Sequence, residues 1–112
     1  MPIADRAAVV AALLAVLGAA PARAAADPQV QKGHDLAVQI CAACHVVAPD
    51  QGRAPLLKPP APPFTAIANR TDTSANSLQA FLRVPHGKMP NPMLAEYQVT
   101  ALTAYIMSLR TR

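Results

Sequence analysis

Proline sets the limits on this chain. Six prolines fall within residues 49–63 and three within 85–92. Regular helix is barred there, because proline lacks an amide donor and collides with the preceding turn. Three proline-free segments remain. In 29–44, Val30, Gly33, Leu36, Ala37, Ile40 and Cys41 recur at three- and four-residue steps and predict a helix. Residues 73–84 predict a second, capped by Thr73 or Thr71, with Leu78, Phe81 and Leu82 as its apolar stripe. A short helical turn in FTAIA (64–68) precedes it. Residues 95–110 predict a third, with Val99, Leu102, Ile106 and Leu109 in register and Arg110 suited to the negative end of the helix dipole. Nothing alternates with period two, and no Asn-Gly or Asp-Gly turn occurs. The expected fold class is all-α, with three to four helices and long proline-rich loops, which in a compact domain usually carry function.

The first 26 residues read as an export leader. Arg6 stands in a short polar segment, an apolar run covers 7–20, and small residues fit cleavage after Ala24 or Ala26. That divides the chain into a signal peptide, 1–26, and one domain, 27–112. The run is shorter than the roughly 20 residues that span a bilayer, so membrane attachment is not expected. An uncleaved N-terminal anchor is the alternative, and a free N-terminus near Ala25 or Asp27 excludes it.

From Asp27 onward eight Lys/Arg face five Asp/Glu, a net charge of +3. No basic run interleaves with aromatics, so nucleic acid is not an expected partner. The chain has no Trp, and its aromatics are Phe64, Phe81, Tyr97 and Tyr105. A domain this small and this poor in aromatics needs something else in its middle.

The two cysteines lie together in CAACH, Cys41-Ala42-Ala43-Cys44-His45. A redox dithiol of this spacing belongs beside a βαβ unit, and no strand is expected here. A structural zinc site needs four ligands, and only His34 and His86 remain, without paired spacing. Covalent haem fits best, because Cys-x-x-Cys-His is the c-type attachment sequence. At a helix end Cys41, Cys44 and His45 are three and four residues apart and point to one side. Two thiols can then bond two vinyl groups while the imidazole reaches the iron. Export agrees with this chemistry.

A second iron ligand decides between electron transfer and small-molecule binding. In RVPHGKMPNPML, Met89 is the favoured candidate, in a proline-flanked loop unsuited to ordinary core packing. Met93 and His86 share the loop and stay open as rivals. His34, beside Asp35, reads as solvent-facing, and Met107 as a packing residue of the last helix.

The order helix, CAACH, proline-rich loop, APPFTAIA, helix, HGKMPNP, LTAYIMSL resembles the small class I cytochromes c of bacterial periplasms, over nearly all of 27–112. The resemblance implies a cytochrome c-like fold wrapped around one haem. Its first and last helices cross at Gly33 against Tyr105, and a proline carbonyl, best matched by Pro62, bonds the ligand histidine. It further implies a periplasmic one-electron carrier with His45 and Met89 on the iron. Leu56, Leu57, Ile67, Leu82 and Leu94 form a dry shell, and the chain without haem is expected to be largely unfolded. Lys88 and Arg83 offer a positive rim to an acidic redox partner. Two departures stand out: no Gly-Pro pair opens the proline loop, and the last helix lacks a Ser or Thr cap. Two other functions stay open, a dedicated subunit of a periplasmic dehydrogenase or oxidase complex and a gas- or peroxide-reactive haem protein with a labile sixth ligand. No acid/base pair, nucleophile motif or phosphate loop appears, so no enzyme is expected.

Overall fold

The computed structural model describes residues 27–111, together with the isolated Gly18. The proposed leader, 1–26, otherwise lies outside the described residues. Four α-helices follow in order: α1 (Pro28–Leu36), α2 (Phe64–Ala68), α3 (Ala75–Leu82) and α4 (Glu96–Ser108). No strand occurs among the described residues, and none of their helices is long and apolar enough to cross a membrane.

Each start has a local cause. The Asp27 carboxylate accepts the Gln29 amide at 2.9 Å, and Pro28, whose missing donor costs nothing there, opens α1. The cap of α3 is Ser74, not Thr73 or Thr71. Ser74 and Ser77 exchange side-chain and backbone bonds at 3.0 and 2.8 Å. Thr73 is instead buried, its hydroxyl donating to the Ile67 carbonyl at 2.7 Å. For α4, which has no capping side chain at Ala95, the Gln98 amide oxygen reaches back to the Ala95 N–H at 2.9 Å.

The first helix is not regular to residue 44. After Leu36 it widens into a π-helical turn, Ala37–Cys41, closed by the Ala42 amide on the Ala37 carbonyl at 3.1 Å. Cys44 and His45 then both donate to the Cys41 carbonyl, at 3.1 and 2.9 Å. The chain therefore leaves the helix inside the CAACH segment.

Helix α1 crosses α4 at Gly33. A Cβ there would run into the Ala101 carbonyl oxygen and stand 2.5 Å from the Tyr105 Cβ. Val99, Leu102 and Ile106 are the largest fully buried side chains among the described residues. Leu78 and Leu82 pack into the same core from α3, but Phe81 does not; it is half exposed. Arg110 does not serve the end of its own helix. Its guanidinium donates to the carbonyls of Ala68 (2.9 Å), Arg70 (3.3 Å) and Thr73 (2.5 Å), and so holds the α2–α3 connection.

Candidate functional site

The loop after CAACH folds back over it. Leu56 and Leu57 donate to the Ala43 carbonyl at 2.8 and 3.2 Å, Ala61 to Cys44 at 2.9 Å, and Phe64 to Val46 at 3.0 Å. The backbone groups freed where the helix ends thus find partners in the proline-rich segment. Gln51 organises the turn between. Its side-chain oxygen accepts from Val47 at 2.7 Å and Ala48 at 3.3 Å, and its amide donates to Arg53 at 2.9 Å. A lone Gln in a loop carries no sequence signal, and only the fold reveals this role.

The same loop orients His45. Its Nδ1 lies 2.6 Å from the Pro62 carbonyl oxygen, which makes Nδ1 the donor and leaves Nε2 as the free, lone-pair nitrogen. Phe64, at the start of α2, packs against the ring with centroids 5.2 Å apart. Tyr105 fastens the loop to α4, its hydroxyl donating to the Val47 carbonyl at 2.7 Å.

Cys41 and Cys44 are both half-buried and both free thiols. Burial first, and the neighbouring Cys44 second, push the Cys41 thiol up to about 11. Reactive dithiols show the opposite, a thiol acidified by its surroundings. Cys41 is thereby poorly suited to attack a disulfide.

His34 is partly buried and engaged rather than simply solvent-facing. Its Nε2 meets Asp50 at 2.8 Å and its Nδ1 meets Asp35 at 2.9 Å, while the ring stands edge-on to Tyr105 at 5.5 Å. The hydrogen bond with Asp50 foremost, and that with Asp35 next, raise the His34 pKa. Both carboxyls are lowered in turn by their bonds to His34. His34 therefore ties α1 to the loop that follows CAACH.

Between α3 and α4, Met89 sits in a tight turn. His86 and Met89 exchange backbone bonds at 3.1 and 2.9 Å around Gly87, whose φ of +53° suits glycine. The Met89 side chain is half-buried. Met93 is 83% exposed with φ at +55°, and its amide donates to the Asn91 side chain at 3.0 Å. The His86 ring lies against Phe81, centroids 3.7 Å apart. Arg83 is not a free rim charge: it grips Glu96 through two bonds of 3.1 and 2.7 Å, joining the end of α3 to the start of α4. Lys88 stays exposed.

The residues fit a covalently held apolar ring. Large hydrophobic side chains stand exposed on the segments that carry the candidate ligands: Val46 beside His45, Leu56 at 73% over Ala43, Phe81 and Val84 before the Met89 turn. Exposed large apolar side chains on both segments mark surfaces made to be covered. Of the expected dry shell, Leu82 is buried in the core, Leu57, Ile67 and Leu94 are half-buried, and Leu56 projects outward.

A family model described as Cytochrome c matches residues 30–110. Cytochrome c-552 of Bradyrhizobium diazoefficiens is 41% identical over 98 residues, covering 88% of this chain and 89% of that protein. No solved structure matches the chain.

Proposed function

Since this chain belongs to the cytochrome c family, we propose that it is a periplasmic one-electron shuttle whose single haem c is joined to Cys41 and Cys44 and ligated by His45 and Met89. Family membership makes it a class I c-type cytochrome, a haem-based electron carrier with covalently bound haem c. The ligand pair, the compartment and the shuttle role are our reading. So is the division into a cleaved leader, 1–26, and a mature domain, 27–112.

The observation that carries the proposal is the Pro62 carbonyl on His45 Nδ1, because it takes up the ring N–H and leaves Nε2 with its lone pair to bind iron, in a segment that also holds two free thiols. Each thiol would add its sulfur and hydrogen across a vinyl group, giving a thioether without loss of atoms. The haem iron supplies a ferrous–ferric couple. The chain's part is to hold both ligands still, so that little rearranges with the charge. Pro62 restrains the imidazole, and the reciprocal His86–Met89 backbone bonds restrain the methionine. Met89 is preferred to Met93 because its side chain is half-buried while that of Met93 is directed to solvent. A thioether ligand favours the ferrous state and raises the potential. Partners are redox proteins, transient or within a dehydrogenase or oxidase complex; co-purification separates these.

The test is the absorption spectrum of the ferric, haem-loaded protein, scanned for the weak long-wavelength sulfur-to-iron band. The band is expected in wild type and in Met93→Ala, and absent in Met89→Ala. Its absence from wild type, with rapid carbon monoxide uptake by the reduced protein, would replace this reading with that of a gas- or peroxide-reactive haem protein.

A further inference from the structure

We propose that the rings of His86 and Phe81 form a clamp that positions Met89, which makes His86 a positioning residue for the second iron ligand; the proposal rests on the Met89 assignment above.

The segment joining α3 to α4 contains no helix, and its backbone is organised around one local pairing, His86 with Met89. That pairing fixes Met89 relative to His86 through bonds of 3.1 and 2.9 Å. A two-residue turn so closed is still free to lift as a unit unless something fastens it to a rigid element. The Arg83–Glu96 bridge closes the base of the segment, away from the turn. The fastening nearer the turn is the His86 ring, whose centroid is 3.7 Å from that of Phe81 with the planes tilted by 38°. Phe81 belongs to the last turn of α3, between the buried Leu78 and Leu82, so its backbone is held by the core. Its own ring is half exposed and turned to the loop. His86 Nδ1 lies 3.2 Å from the Val84 carbonyl, which limits rotation of the imidazole on that stack. The path from core to ligand is then continuous: α3 backbone, Phe81 ring, His86 ring, His86 backbone, Met89 backbone.

An outside ligand can reach the iron only while Met89 is displaced, so its apparent affinity measures how often the turn opens. The experiment is an imidazole titration of the ferric, haem-loaded protein, followed through loss of the sulfur-to-iron band, or through the main absorption band where Met89 is absent. Wild type, His86→Ala, Phe81→Ala, the double variant, His86→Phe and Met89→Ala are compared. An aromatic pair of ordinary strength predicts that each alanine variant binds imidazole about three- to tenfold more tightly than wild type. The double variant should gain no more than either single one, since both remove the same contact. His86→Phe, which can stack but not titrate, should return towards wild type. Alanine variants indistinguishable from wild type, or effects that simply multiply in the double variant, overturn the clamp while leaving Met89 as ligand. Wild type that binds imidazole as tightly as Met89→Ala overturns the Met89 assignment and the clamp with it.

Discussion

His45 Nδ1 and the Pro62 carbonyl oxygen lie 2.6 Å apart, although they are 17 positions apart along the chain. The Ala61–Cys44 and Phe64–Val46 backbone bonds bracket that contact, so the carbonyl is presented by a loop that is itself held to the histidine's own segment. A donor bond from Nδ1 makes the imidazole more electron-rich, and with His45 on the iron as proposed it would favour the ferric state.

Pro62→Ala keeps the carbonyl but frees the backbone torsion that proline locks. Voltammetry is expected to show a potential higher by on the order of a few tens of millivolts, as a weakened hydrogen bond implies. An unchanged potential would mean that the loop holds the carbonyl without help from the ring of Pro62.

Gly33→Ala should destabilise the folded protein by about 1–3 kcal/mol, with the upper end favoured. The new methyl meets the Ala101 backbone carbonyl, which cannot rotate aside, as well as Tyr105. Denaturant unfolding of the haem-loaded protein measures the change. A midpoint equal to wild type would show that α1 and α4 can separate at no cost.

The His34 bridge predicts a window of pH. Its pKa is raised above the usual value near 6.5, so its contribution is complete below that value and is lost as pH rises through the folded pKa. Asp35 and Asp50 are lowered from about 3.9, so theirs is present above that value and is lost as pH falls through their folded pKa. The bridge is strongest between about pH 4 and 6.5. The gap in melting temperature between wild type and His34→Gln should be widest there and shrink as pH rises above it. A gap independent of pH would show that His34 acts by packing on Tyr105 alone.

Thr103 is buried on α4, and its hydroxyl has no hydrogen-bond partner among the described residues. Replacing it with the similarly shaped Val removes an unpaired polar group, so Thr103→Val should stabilise the protein by about 1 kcal/mol. Thermal unfolding checks this, and a lower melting temperature would reveal a partner for the hydroxyl.

Much of the fold was legible because its signals are local. Proline spacing marked the loops, periodic apolar residues marked the helices, and CAACH pointed to covalent haem from five adjacent residues. The glycine at the crossing and Pro62 were reached through resemblance, and the structure places Gly33 against Tyr105 and Pro62 against His45. The helix boundaries were less legible. Ser74 outcompetes Thr73 as cap because the Thr73 hydroxyl is engaged with Ile67. The π-helical turn that ends at Cys41 has no mark in AVQIC that separates it from ordinary helix.

The sequence by itself determined the fold class and the covalent haem, and narrowed attachment and iron ligation to a short set of candidates, because each depends on residues a few positions apart. Tertiary structure alone decided which polar side chains became fastenings. His34 was drawn to Asp50 across 16 positions, Arg110 to Ala68 across 42, and Tyr105 to Val47 across 58. A histidine, arginine or tyrosine has many chemically equivalent acceptors along a chain. Which one it meets is set only when loops without periodicity fold back and close upon the helices, and burial then leaves that one acceptor within reach.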